Sequence, residues 1–350
     1  MRLLLISNLH YSKRVVLGGI LLIGFLTSYW FWLDYKDFLK TPLMVTEPQS
    51  TFELKKGTSV NRLAHQLAEQ GIIKNTLYLR ILTYFNPELS QIKAGEYRFG
   101  KALTPTKLLL KLNQGKVIQY TFTIIEGQTS FQVVENLAKK ALVNPLNEQQ
   151  KSQLPTLLKI EQNHLEGWLF PETYSYTKNE DAFSLLERAY ASMTRILEEE
   201  WKNREQGLPY KSAYQALIMA SIIEKETGIA SERAQIAGVF VRRLRKNMRL
   251  GTDPTVIYGI GPDFNGDITY KDLRTPTPYN TYVIKGLPPT PIAMPSRESI
   301  NAALHPAPGN SLYFVADGTG GHYFSETLDE HNKAVKRMLK RQREEKRKNQ

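Results

Sequence analysis

A chain of 350 residues carrying a net charge of +12 and no cysteine excludes disulfide staples and thiolate metal sites. Much of that charge is local, because from Lys333 to the C-terminus nine Lys/Arg stand against two Glu, a net +7. Roughly 310 residues follow the apolar N-terminal segment, a length that suits two domains.

Residues 15–33 form an uncharged run, close to the ~20 residues that cross a bilayer. Arg2, Lys13 and Arg14 precede it, and Tyr29, Trp30, Trp32 and Tyr35 cluster at its far end. Basic residues favour the cytoplasmic side and aromatic rings the headgroup region. A cleaved signal peptide fits poorly, since large aromatics and Asp34 occupy the place of a small-residue cleavage site. The expected order is a cytoplasmic stretch (1–14), a single transmembrane helix (15–33), a linker (34–45) and an extracytoplasmic remainder. On that side of the membrane the basic tail (333–350) has no nucleic acid to meet and reads as a solvated, frayed helix.

An internal repeat follows. Thr51-Phe52-Glu53-Leu54-Lys55-Lys56-Gly57-Thr58-Ser59 recurs as Thr121-Phe122-Thr123-Ile124-Ile125-Glu126-Gly127-Gln128-Thr129. Alternation before each glycine predicts a strand, and Ser59 or Thr129 is placed to cap the helix behind it. A looser copy runs from Gly95-Glu96-Tyr97-Arg98-Phe99 through Thr104-Pro105 into a helix at 108–112 that Gly115 closes. The first unit resembles a LysM-type module, which here is either carbohydrate-binding or a spacer. Pro145 and Gln149-Gln150-Lys151 suggest an exposed loop.

Beyond that loop, Glu166-Gly167-Trp168-Leu169-Phe170-Pro171-Glu172-Thr173-Tyr174 mixes acids with aromatics, the side chains that bind sugar hydroxyls and cover pyranose faces. Residues 216–227 (ALIMASIIEKET) then predict an apolar helix ending in carboxylates. Ala216, Ala220 and Glu224 are four apart and share one stripe. Small neighbours strip water from Glu224, favouring its protonated form, as a general acid near neutral pH requires. Glu226, about 200° further round, belongs with Met219, Ile222 and Ile223. The plainer alternative is a helix end with a solvated Glu-Lys-Glu and Gly228 as its stop. Thr252-Asp253-Pro254 then forms a turn ahead of an apolar run. Tyr279-Asn280-Thr281-Tyr282 and Gly286-Leu287-Pro288-Pro289 read as a rigid segment rich in hydrogen-bonding groups.

Together, 166–174, 220–227, 252–256, 279–282, 286–289 and Gly321-His322-Tyr323-Phe324 resemble the YceG-like endolytic murein transglycosylases, and the likeness extends from the anchor to Glu330-His331-Asn332. One departure is Met294-Pro295-Ser296, where many relatives carry Asn-Pro-Gly; no contact is assigned to it. The resemblance implies an α+β chain with a LysM-like domain (46–117) and a mixed catalytic domain (118–332). It also implies cleavage between N-acetylmuramic acid and N-acetylglucosamine that leaves a 1,6-anhydro end. Glu224 maps onto the catalytic acid. It would protonate the glycosidic oxygen and later take the proton of the sugar's own carbon-6 hydroxyl, so that one carboxylate suffices where hydrolases need two.

Glu166, Glu172, Tyr174, Glu226, Thr252, Asp253, Tyr258, Tyr279, Asn280 and Tyr282 are the candidates for substrate binding. The six histidines lack paired ligand spacing, so neither metal nor other cofactor is expected. Expected partners are glycan strands and a peptidoglycan synthase, and the expected place is the inner membrane, with the enzyme ending strands as they are polymerised. Two other readings stay open: a two-carboxylate hydrolase using Glu172 or Asp253 as base, and a non-catalytic wall-binding scaffold.

Overall fold

The computed structural model describes residues 2–45, 50–100 and 102–348, with side chains from 15 onward except 342 and 345–348. The expected boundary at 45/46 falls outside the described residues, as do the side chains of Arg2, Lys13 and Arg14. The architecture is mixed α and β, in two compact units, residues 1–120 and 121–350.

Unit 1 begins with α1 (Arg2–Lys40), a helix long and apolar enough over residues 15–40 to cross a membrane. Its side chains stand open from Val15 to Leu33, and Phe31 meets Tyr78 edge-on at 5.4 Å. β1 (Thr51–Leu54) leads through a turn into α2 (Val60–Glu69) and α3 (Thr76–Phe85). β2 (Gly95–Arg98) returns antiparallel to β1, with Phe52 opposite Tyr97, and α4 (Pro105–Gln114) follows. Phe52, Leu54, Leu63, Leu67, Tyr97 and Leu108 form the buried centre of this unit. Ser59 Oγ accepts the Arg62 amide and starts α2, satisfying a donor that the helix itself leaves open.

Unit 2 opens with the second copy of that device. β3 (Tyr120–Thr123) turns at Gly127, whose φ of 74° matches the 80° of Gly57. α5 (Ser130–Ala138) starts from a reciprocal capping box between Thr129 and Gln132. β4 (Val143–Asn144) follows. The segment expected as a loop is instead α6 (Glu148–Leu157), nucleated by a second box between Asn147 and Gln150; the capping pair outweighs the polar composition. β5 (Thr173–Tyr176) pairs with β3, and β6 (Glu180–Asp181) runs parallel to β4.

The helical body comprises α7 (Ala182–Lys202), α8 (Ala213–Glu226), α9 (Arg233–Arg245), α10 (Asp253–Ile260), the short α11 (Tyr270–Arg274) and α12 (Arg297–Leu304). α8 is its axis: every side chain from Ala216 to Ile223 is buried, the mark of a core helix enclosed on all sides. Each large aliphatic so enclosed contributes roughly 1.5–3 kcal/mol. α12 packs against α8, and Ala216 and Ala220 on α8 and Ala302 and Ala303 on α12 are all buried. A hairpin of β7 (Tyr313–Ala316) and β8 (His322–Ser325), with Ala316 opposite His322, precedes α13 (Leu328–Lys348).

Candidate active site

α8 carries Glu224 and Glu226 in its last turn, and Thr227, in extended conformation, ends the helix one residue before the expected glycine. The two acids serve different surroundings. Glu224 is half-buried, and its Oε2 accepts the Ser296 amide at 2.9 Å together with the Ser296 hydroxyl. Ser296 is the N-cap of α12, so Glu224 fastens the end of α8 to the start of α12, where a negative charge is favoured by the helix dipole.

Glu226 faces a cleft of about 830 Å³ walled by α9, the start of α10, the β7–β8 hairpin and α13. The Thr252 hydroxyl donates to its Oε1. Burial pushes the Glu226 carboxyl up to about 7; the Thr252 bond opposes that, Asp253 adds to it, and His322 and Arg243 oppose it. Desolvation of the charged form wins because one hydroxyl replaces a full hydration shell. A carboxylic acid that still holds its proton near neutrality is thereby placed on the wall of an open cleft.

Thr252 is itself fixed: its amide donates to Thr281 Oγ1 at 3.0 Å, and Thr255 Oγ1 lies 2.8 Å from the same oxygen. Asp253, exposed at the first turn of α10, accepts the Tyr282 hydroxyl at 2.6 Å. Arg243 braces the opposite side. Its guanidinium donates to the carbonyls of Leu312 and Leu250, both at 2.6 Å, and lies over the Tyr313 ring at 5.2 Å. Among the described residues no group of three or more His, Asp or Glu is placed to hold a metal ion.

Of the candidates for substrate binding, Glu226, Thr252, Asp253 and Tyr282 come together on this cleft. Glu166, Tyr258 and Tyr279 form a different cluster. Glu166 is 2% exposed and accepts the Ser130 amide and hydroxyl at 2.9 and 3.0 Å and the Tyr258 hydroxyl at 3.1 Å. Burial nevertheless pushes its carboxyl to about 7. Tyr258 packs edge-on against Tyr279 at 4.8 Å. Asn280 is buried, its amide donating to the carbonyls of Asp272, Leu273 and Thr275 and its oxygen accepting the Tyr282 amide, so it closes α11. Tyr174 donates to the Phe170 carbonyl at 2.8 Å, and Glu172 is exposed beside β5, away from the residues that line the cleft.

Arg243, Tyr313 and Glu232 escaped the sequence reading. Arg243 sits among five basic residues between 242 and 249, where nothing in the order separates a buried guanidinium from solvated ones. His322 did carry a signal, its Gly-Gly-His turn.

A family model for the YceG-like family matches residues 52–337. A Bacillus subtilis (strain 168) protein named endolytic murein transglycosylase is 31% identical over 343 residues, 93% of this chain and 91% of that protein. A protein of the same name from Streptococcus pneumoniae serotype 2 (strain D39 / NCTC 7466) is 28% identical over 320 residues, and the alignment spans 81% of this chain but 57% of that longer relative. A crystal structure of a YceG-like protein from Listeria monocytogenes superposes with a TM-score of 0.53 at 31% identity, covering 81% of this chain and 98% of that one. With the match running from Phe52 in the first strand to Arg337 in the last helix, the chain belongs to the YceG-like family.

Proposed function

We propose that the chain is a peptidoglycan lytic transglycosylase that cuts within glycan strands, with Glu226 rather than Glu224 as its acid. The observation that carries this reading is the Glu226 carboxyl on the cleft wall, raised to about 7 and held by Thr252. Glu224, the acid expected from the resemblance, has its Oε2 taken by Ser296 and no place among the cleft residues. The names of the curated relatives support the reaction class.

In this mechanism protonated Glu226 donates to the glycosidic oxygen between N-acetylmuramic acid and N-acetylglucosamine as that bond breaks. The carbon-6 hydroxyl of the same sugar closes on carbon 1 and passes its proton to a basic group of the cleft, giving a 1,6-anhydro end without an activated water. Ring closure within one bound residue replaces a bimolecular encounter. Tyr282 and Asp253 are the groups we assign to hydroxyl and N-acetyl positioning.

α1 serves as a single transmembrane anchor with its N-terminus cytoplasmic and the chain beyond α1 outside, on the strength of its length and of the flanking basic and aromatic residues. Tethered there, the enzyme would act on nascent strands beside a synthase and end their polymerisation, with the β1–α2–α3–β2 module as a LysM-like glycan contact. A hydrolase reading has one observation in its favour: Asp253 lines the same cleft as Glu226, as a base partner would.

Mass spectrometry of products from full-length protein in detergent and uncrosslinked peptidoglycan tests these readings. Internal fragments ending in anhydro sugars, absent for Glu226→Gln, are the expected result. Reducing ends would establish hydrolysis, and turnover by Glu226→Gln would remove Glu226 from the chemistry.

A further inference from the structure

His322 opens β8 and projects into the cleft that holds Glu226. Both of its polar nitrogens on one side are tied to a single carboxylate. Its backbone amide donates to Glu232 Oε1 at 3.0 Å, and Nδ1 lies 2.7 Å from Glu232 Oε2. A carboxylate oxygen accepts, so Nδ1 carries the hydrogen on the Glu232 side, which leaves Nε2 outside that bond. The ring is walled edge-on by Phe314, centroids 5.4 Å apart, with Phe324 at 6.5 Å.

The hairpin is built around this pairing. A Cβ at residue 321 would lie 2.9 Å from Glu232 Oε1, so glycine at that position lets the carboxylate reach the His322 amide. Asp317 Oδ1 shapes the turn by accepting the amides of Thr319 and Gly321 and the Thr319 hydroxyl. His322 and Glu226 line the same cleft. Glu226 is positioned to give a proton. Nothing else described in the cleft pairs an available lone pair with a carboxylate that would steady the resulting cation, the arrangement that makes an imidazole a general base.

We propose that His322, oriented by Glu232, is the second proton-transfer group of this site: Nε2 takes the proton of the attacking carbon-6 hydroxyl while Glu226 protonates the departing oxygen. The proposal rests on Glu226 being the acid. The step balances without a co-reactant. The bond from carbon 1 to the glycosidic oxygen breaks, and that oxygen receives the Glu226 proton. Carbon 1 bonds to oxygen 6, whose proton passes to Nε2. The enzyme is left with a Glu226 carboxylate and an imidazolium paired with Glu232, and return of one proton from Nε2 to Glu226 resets it.

The division of labour has a signature in pH. A single carboxyl that begins protonated gives a rate that falls only on the alkaline side. A base at Nε2 adds an acidic limb, because its protonation removes the acceptor. The other charged or titratable groups around this cleft are Glu232 ahead of α9, Arg243 on α9, Arg249 after it, Asp253 at the start of α10, Tyr282 after α11, Tyr313 and Asp317 in the hairpin, and His331 on α13.

The experiment is the pH–rate profile for anhydro-product formation by full-length protein in detergent, comparing the parent with His322→Gln, Glu232→Gln and Glu226→Gln. The expected result is a bell in the parent. In His322→Gln, kcat falls ~100-fold with KM within threefold, and the acidic limb disappears. In Glu232→Gln the limb moves about one pH unit lower, since the imidazolium loses its counter-charge. A His322→Gln enzyme with kcat within threefold, or a loss in KM alone, overturns the proposal, as does a parent profile without an acidic limb. Should His322→Gln not fold, Glu232→Gln decides, an unmoved limb counting against. Activity in Glu226→Gln marks failure of the acid assignment itself and is read separately.

Discussion

Glu224 and Glu226 share one turn of α8 and are held by different partners, Glu224 by Ser296 at the head of α12 and Glu226 by Thr252 at the head of α10. One carboxylate joins two core helices and the other faces the cleft, so their glutamine variants should separate stability from chemistry. We expect Glu226→Gln to lower kcat at least ~10³-fold with little change in melting temperature, by loss of a general acid. Glu224→Gln should keep kcat within about tenfold and destabilise unit 2 by about 1–2 kcal/mol through the weakened Ser296 contact. Calorimetry beside product quantification checks both, and the opposite pattern would return the acid role to Glu224.

The alkaline limb of the rate should follow the Glu226 carboxyl. Its pKa is raised by burial to about 7, so the proton-donating form is complete below that value and activity declines as pH rises through it. The Thr252 hydroxyl bonds the ionised form and lowers the pKa. Thr252→Val should therefore move the limb to higher pH. A limb that stays in place, or moves down, would mean that Thr252 does not govern this proton.

Glu166 makes a stability prediction of its own. Its folded-state pKa lies above the ordinary 4.5, at about 7, so its favourable contribution is complete below about pH 4.5 and is lost as pH rises through 7. Glu226 acts in the same sense over the same window. The melting temperature of unit 2 should fall from pH 5 to pH 8, and Glu166→Gln should remove a share on the order of 2 kcal/mol from that slope. An unchanged slope in the variant would show that the buried Glu166 is not what titrates.

Gly167 sits at φ 81°, and a Cβ there would lie 2.5 Å from Pro291 Cγ and 2.6 Å from Pro291 Cβ. The rigid proline ring cannot swing away, and an L side chain resists that backbone angle. Gly167→Ala should cost about 2 kcal/mol or more, a drop of roughly 5 °C in melting temperature for a unit of this size. A variant that melts with the parent would show that the segment yields locally.

Local devices were legible in the order of residues. The repeated strand–glycine–hydroxyl pattern predicts the turns at Gly57 and Gly127 and the caps at Ser59 and Thr129, all present. The apolar run at 216–223 predicts a helix, and a helix it is. The box at Asn147 and Gln150 is equally local, and there polar composition points to a loop while the capping pair starts a helix.

The order of residues carries the inventory: an apolar N-terminal helix, capped strand–helix units, and a core helix ending in two acids beside motifs of the YceG-like family. The partners that hold each acid come from the tertiary structure alone. Stripe position points to Glu224, because a helix alone can be judged only by its own neighbours. α8 is enclosed on every face to Ile223, so residues distant in the chain set the surroundings of its last turn. Ser296, 72 positions away, ties Glu224; Thr252, Asp253, Arg243 and His322 converge on Glu226. Desolvation and charge act through space over a few ångströms, and the fold alone brings those groups within that range.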